Sequence, residues 1–145
     1  MDENAFRDTY RALNQHDCPF GKAIIICHHG CRNSQRINIG ERLAIGCVSP
    51  AAQESCQNLL ALLRNNAAFA LGVTDVTRLA HAKELKVQCG GLRGLRLALE
   101  LAAVVEIDDI SDLVNQAGER YGELAALPFS EIVREIAHFE ARRKK

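Results

Sequence analysis

The chain has 145 residues, enough for one domain with an apolar core, so folding does not depend on disulfides. Hydrophobic residues make up 48% and charged residues 25%, which excludes a disordered or membrane-embedded class of protein. Eighteen basic residues balance 18 acidic ones, so the chain lacks the positive field typical of nucleic-acid-binding proteins. We therefore predict a single domain, 1–145, that binds neither nucleic acid nor a membrane.

The first predicted element is a helix over residues 4–16. Phe6, Tyr10 and Leu13 recur at helical spacing, and the sequence from Cys18 to Gly21, which contains a proline, ends the pattern. The acidic and polar start also lacks the basic-then-apolar pattern of an export signal. We therefore expect a cytoplasmic protein.

Residues 22–47 are ambiguous. Residues 23–27 are rich in β-branched side chains and residues 37–39 alternate, as strands do. In a helix, Cys27 and Cys31 would face the same way. We favour a helix here and keep a strand as the alternative.

The strongest helix signal covers residues 49–70. Ser49 can cap the helix, Pro50 suits its first position, and Gly72 follows its end. Apolar residues recur on one face between these signals. These signals together predict a helix over residues 49–70.

The segment 73–145 predicts a supporting helical bundle. Periodicity and turn residues predict helices from Thr74 or Asp75 to about Lys86, from Leu92 to Val105, from Asp108 or Asp109 to Gly122, and after Pro128. The pair Gly90-Gly91 predicts a break between the first two. The predicted fold class is mainly α: a single-domain bundle of about six helices with an irregular, cysteine-rich N-terminal segment.

Five of the six cysteines lie in the segment 18–56, namely Cys18, Cys27, Cys31, Cys47 and Cys56. In a reducing compartment, clustered cysteines are more often metal ligands or redox groups than structural disulfides. We therefore predict that segment 18–56 binds a metal and that four of these five thiols ligate it. The isolated Cys89 is assigned to the apolar core.

The favoured metal centre is an iron–sulfur cluster, [4Fe–4S] in particular, because all-cysteine ligation is available with a fifth thiol in reserve. The spacing C-x8-C-x3-C-x15-C-x8-C matches neither a ferredoxin nor a zinc-finger pattern, so this prediction rests on the density and placement of the cysteines. Zinc is the alternative cofactor, and His28 or His29 could complete a Cys3His site. In a third interpretation the thiols fill a core or form a redox pair.

These interpretations lead to different functions. A cluster implies electron transfer or redox sensing with a protein redox or regulatory partner, which Arg32, Arg36 and Arg42 could attract. Zinc implies a structural adaptor or regulator, and buried thiols imply a metal-free helical scaffold. Because no acid–base pair or nucleophile motif is present, a non-enzyme is favoured.

Overall fold

A computed structural model describes residues 3–5, 8, 16–101 and 106–140. The elements in these residues are, in chain order, α1 (Gly21–Ile26), β1 (Ser34–Ile39), β2 (Arg42–Cys47), α2 (Pro50–Leu71), α3 (His81–Leu85), α4 (Gly91–Ala98), α5 (Ile110–Tyr121) and α6 (Phe129–His138). A π-helix, Lys86–Gly90, joins α3 to α4, and a 3-10 turn, Leu124–Ala126, lies between α5 and α6. The predicted helical class is confirmed. Most of the predicted helix 4–16, and the end of the one predicted from Leu92 to Val105, lie outside the described residues.

Helix α2 confirms the prediction for residues 49–70. The Ser49 hydroxyl accepts a hydrogen bond from the Ala52 N–H at 3.2 Å, and Pro50 opens the helix. Gly72 ends it in a left-handed conformation with φ of 66°. The apolar face of α2 is buried through Cys56, Leu59, Leu60, Leu63 and Ala67. Among the described residues, no helix combines the length and apolarity that crossing a bilayer requires.

The favoured helix over residues 22–47 is wrong beyond α1. The chain instead forms an antiparallel hairpin of β1 and β2, in which Ile39 pairs with Arg42. Gly40 has a φ of 62°, which lets a two-residue turn connect the strands. The alternative, a strand, is correct for the second half of this segment. Ala44 and Ile45 of β2 are buried, and β2 packs against α1.

The predicted break at Gly90-Gly91 is also wrong, because the chain continues from the π-helix directly into α4. The glycines serve close packing instead. A Cβ on Gly90 would lie 2.7 Å from the Ile136 Cα, and one on Gly94 would lie 2.9 Å from the Ile132 Cα. Glycine therefore lets the π-helix and α4 pack directly on the backbone of α6.

The core lies between α2, the π-helix, α4, α5 and α6. Its fully buried apolar side chains include Leu59, Leu63, Val87, Leu92, Leu95, Ile132 and Ile136. The N-terminal segment packs on this core through α1 and the residue before it. Phe20, which precedes α1, and Ala23, within it, have no exposed surface. This contact places the cysteine-rich segment beside the π-helix and the start of α2.

Candidate functional site

The six cysteines divide into one disulfide and four free thiols. Cys27, at the end of α1, is bonded to Cys89 in the π-helix, with 7.0 Å between their Cα atoms. Cys89 is almost fully buried, whereas Cys27 is half-buried. Cys27 was a predicted metal ligand, but a disulfide sulfur has no thiolate to offer. Cys89 lies in the core as predicted, but it also carries this covalent bond.

Cys18 and Cys47 are brought together by a short backbone bridge. The Cys47 N–H donates to the His16 carbonyl at 2.7 Å, and the Cys18 N–H donates to the Ile45 carbonyl at 2.9 Å. The turn before α1 therefore runs antiparallel to the end of β2. The Cys47 thiol donates to the Ser49 carbonyl at 3.3 Å, just before α2 begins.

Cys31 reaches the same region through the hairpin. The Ser34 N–H and hydroxyl donate to the Cys31 carbonyl at 3.1 and 2.8 Å, and Ser34 is the cross-strand partner of Cys47. The Val48 N–H also donates to the Asn33 carbonyl at 2.9 Å. The loop with Cys31 is thus fixed to the end of β2.

The same loop is docked on the start of α5. The Gly30 N–H donates to the Ile107 carbonyl at 2.7 Å, and the Ile110 N–H donates to the Gly30 carbonyl at 2.9 Å. The Arg32 Nε donates to the Asp109 carboxylate at 2.8 Å, across 77 positions of sequence. Arg32, one of the arginines predicted to attract a partner, is therefore engaged within the chain.

Cys56 comes from the second turn of α2 and is buried. The Gln53 side chain donates from Nε2 to the Asp17 carbonyl at 2.9 Å, which ties the first turn of α2 to the residue before Cys18. Gln53 and Cys56 are three positions apart and so lie on one face of the helix. Four free thiols from four segments therefore lie in one region.

The electrostatics of these thiols agree with this placement. Burial raises the pKa of Cys18 to about 12, with further contributions from Cys31 and Cys47. Burial likewise raises the pKa of Cys56 to about 12, and here Cys18, Cys31 and Cys47 all contribute. Burial also raises the pKa of Cys31, again with a contribution from Cys47. Each thiol thus interacts with the other three.

Backbone N–H groups lower the pKa of two of these thiols, whereas burial raises it. A backbone hydrogen bond from Phe20 lowers the pKa of Cys18, against the larger effect of burial. Backbone hydrogen bonds from Asn33 and Ser111 do the same for the pKa of Cys31. Both sulfurs therefore meet donors that favour the thiolate, although burial keeps the thiol protonated at neutral pH.

Within residues 3–5, 8, 16–101 and 106–140, no group of three or more His, Cys, Asp or Glu side chains is arranged to hold a metal ion. One of the five predicted ligands, Cys27, is bonded to Cys89. The prediction of an iron–sulfur protein with a [4Fe–4S] cluster is therefore wrong, because the arrangement of donors that it requires is not formed.

Of the two adjacent histidines, His28 and His29, the second has a structural role. The His29 ring is buried, and its Nδ1 accepts a hydrogen bond from the Ile107 N–H at 3.0 Å. Burial lowers the pKa of His29, with Arg96 and Arg93 acting in the same direction. A neutral His29 therefore anchors the loop to residue 107. His28 is exposed and has a φ of 58°.

A polar network that the sequence did not reveal lies beside Cys18. Buried Glu84 accepts from the Arg64 guanidinium at 2.6 Å and from the Gln88 amide at 3.3 Å. The Gln88 carbonyl oxygen in turn accepts from the Ala23 N–H at 3.1 Å. A cleft of about 570 Å³ opens between this network and Cys18. The partners come from α1, α2, α3 and the π-helix, so no local spacing indicates them.

Comparison of this chain with protein-family models, with curated proteins and with solved structures finds no match. The functional argument therefore rests on the geometry of the cysteines.

Proposed function

We propose that the protein is a redox-sensing regulator whose switch is the Cys27–Cys89 disulfide. The observation that supports this most is the coexistence of one disulfide with four free thiols in the same fold. The predicted cytoplasmic location belongs to the same proposal. In that compartment the disulfides of most proteins are transient, catalytic or redox-sensing rather than structural.

The switch is a simple two-electron step. A dithiol reductant attacks one sulfur, the bond between Cys27 and Cys89 breaks, and each sulfur takes up a proton to become a thiol. The reductant gives up two electrons and two protons and becomes a disulfide. The reverse step needs a disulfide oxidant of the same class.

Reduction would act on two short segments. Cys89 lies within a π-helix, a rare element that occurs often at functional sites. Loop residues after Cys27 stay attached to α5 through the hydrogen bonds of Gly30. We therefore expect the conformational change to stay in residues 25–28 and in the π-helix.

This location also suggests how a partner would detect the change. Ile25 and Ile26, directly before Cys27, are 38% and 39% exposed although both are apolar. We propose that a regulatory protein contacts this end of α1 and distinguishes the oxidised state from the reduced one. We also propose that the helices pack as one bundle that supports this surface.

A redox titration with thiol trapping tests the proposal. The protein is equilibrated in dithiothreitol buffers of graded potential, its thiols are alkylated, and the reduced fraction of Cys27 is measured by mass spectrometry. A sensor should titrate between about −180 and −300 mV, where cellular thiol pools operate. Cys56→Ser should keep this transition, and in Cys27→Ser the remaining Cys89 thiol should stay reduced at every potential.

Hydrogen exchange of the backbone amides supplies the second readout. Reduction should increase exchange in Lys86–Gly90 and around Cys27, and leave α6 unchanged. A midpoint well below −300 mV would indicate a structural disulfide. Either that value or an unchanged exchange pattern would contradict sensing and leave the predicted metal-free scaffold as the better interpretation.

A further inference from the structure

We infer that the cleft between Cys18 and the Glu84 network is a binding site for a small organic carboxylate. The cleft has a volume of about 570 Å³, within the range of about 300–1,000 Å³ that is usual for small-molecule sites. Its walls come from the turn before α1, from α1, β2, α2 and α3, and from the π-helix. Binding there needs no change in any cysteine, so the inference goes beyond the proposed redox switch.

An ion pair holds one cationic side chain in place at the wall of this cleft. Both oxygens of the Glu84 carboxylate accept from the Arg64 Nε, at 3.2 and 3.1 Å, and Oε1 also accepts from Nη2 at 2.6 Å. The Glu84 side chain is only 7% exposed, whereas that of Arg64 is 33% exposed. The buried carboxylate therefore fixes the orientation of a guanidinium that solvent can still reach.

Glu84 is itself fixed by its neighbours. The Gln88 Nε2 donates to the Glu84 Oε1 at 3.3 Å, and the Gln88 carbonyl oxygen accepts from the Ala23 N–H at 3.1 Å. Both Glu84 and Gln88 are buried. This chain of hydrogen bonds joins α1 to the wall that carries the ion pair, so the guanidinium is preorganised before any ligand arrives.

The guanidinium keeps a second edge for a ligand. Glu84 occupies the edge formed by Nε and Nη2, and among the described residues no hydrogen bond from the Arg64 Nη1 is present. Arg64 lines the cleft. The edge formed by Nη1 and Nη2 can therefore donate a pair of parallel hydrogen bonds to a carboxylate, which is the geometry in which arginine recognises such groups.

Other lining residues indicate the class of ligand. Lys22 on α1 adds a second positive charge, and its Nζ donates to the His81 Nδ1 at 2.6 Å. An ammonium group has further N–H donors, so this contact leaves Lys22 able to bind an anion. Leu43 and Leu60 add apolar surface to the same cleft. A carboxylate on a short aliphatic body complements both kinds of group.

The two carboxylates that line the cleft are compatible with this choice of charge. Glu84 is already paired with Arg64, so a cationic ligand would have to compete with the guanidinium for it. Asp17 is exposed, where salt and water screen its repulsion of an anion. Asp17 should therefore weaken the binding of a carboxylate without preventing it.

A titration followed by nuclear magnetic resonance tests the site in the full chain with its disulfide intact. Hexanoate is added to the ¹⁵N-labelled protein at low ionic strength, and hexylammonium serves as the probe of similar size and opposite charge. We expect hexanoate to shift the backbone amides of β2 and those around Lys22, and to saturate with a dissociation constant of about 1 mM or tighter. Hexylammonium should not saturate these shifts.

Four variants identify the groups that bind the probe. Arg64→Lys keeps a positive charge beside Glu84 but loses the planar fork, so the affinity for hexanoate should fall about tenfold. Lys22→Gln should lower it about threefold, and Asp17→Asn should raise it about twofold. Arg134→Gln, the matched control, removes an exposed positive charge from α6, outside the cleft, and should leave the affinity unchanged.

Three results would each overturn the inference. They are the lack of saturation by hexanoate, equal affinities for hexanoate and hexylammonium, and an unchanged affinity in a folded Arg64→Lys variant. The amide spectrum of each variant checks its folding, and if Arg64→Lys misfolds, the opposite effects expected for Lys22→Gln and Asp17→Asn decide. Failure of the redox titration would leave this result untouched, because binding of hexanoate is measured without reducing the disulfide.

Discussion

Removal of the Cys27–Cys89 disulfide should lower the free energy of unfolding by about 4 kcal/mol. The bonded residues are 62 positions apart in sequence. Closing a loop of this length removes about 14 cal/mol/K of entropy from the unfolded chain, or about 4 kcal/mol at 25 °C. Cys27→Ser is the better variant, because Cys27 is half-buried and Cys89→Ser would place a hydroxyl in the core.

Urea unfolding, followed by circular dichroism, measures this effect in four samples. Wild type and Cys27→Ser are each unfolded with and without a phosphine reductant. The reductant should lower the midpoint of wild type to that of Cys27→Ser and should not change the variant. Cys31→Ser, which removes a free thiol, should keep the response of wild type to the reductant. A wild type that is insensitive to the reductant would refute the loop-closure argument.

Three further predictions concern the scaffold. Gly90→Ala should destabilise the protein by about 1–3 kcal/mol in urea unfolding, because its Cβ would lie 2.7 Å from the Ile136 Cα. The control Gly118→Ala, whose Cβ would meet no atom within 4 Å, should stabilise the protein by about 0.5–1 kcal/mol. Equal effects of the two substitutions would contradict the packing role of Gly90. Burial lowers the pKa of His29 from 6.5, so the unfolded chain binds its proton more readily. The free energy of unfolding should therefore be highest above pH 6.5 and should decrease as the pH falls below 6.5. This decrease should be less steep in His29→Gln. Parallel curves for wild type and His29→Gln would exclude His29 as its cause. Ser49→Ala should cost about 1 kcal/mol, and an unchanged midpoint of thermal unfolding would show that the cap is unimportant.

Local signals in the sequence were sufficient where the structure follows from local chemistry. The helix over residues 49–70 was predicted from Ser49, Pro50 and Gly72, and each has the expected role. All three signals act within one or two turns of the helix ends. Tertiary contacts agree with them and do not override them.

Glycine was misinterpreted where tertiary packing decides its role. A Gly90-Gly91 pair usually ends a helix, because glycine has low helix propensity. Here the absence of a Cβ permits contact with the backbone of α6. That contact joins residues more than 40 positions apart, so a local pattern could not reveal it.

The cysteines show the same limit. Their density in segment 18–56 indicated a functional centre, and four of the five, Cys18, Cys31, Cys47 and Cys56, do lie in one region. The pairing of Cys27 with Cys89 could not be predicted, because it depends on α1 packing against the π-helix. The hairpin that places Cys31 beside Cys47 also depends on burying Ala44 and Ile45, which a short apolar run does not determine.

The most direct test of the central claim is the oxidation state of each cysteine in the purified native protein. The chain is denatured in excess alkylating reagent without reductant, digested, and its peptides are identified by mass spectrometry. We expect alkylated Cys18, Cys31, Cys47 and Cys56 and one disulfide-linked peptide pair that contains Cys27 and Cys89. Alkylation of all six thiols, or a disulfide between any other two cysteines, would contradict the division on which the redox switch depends.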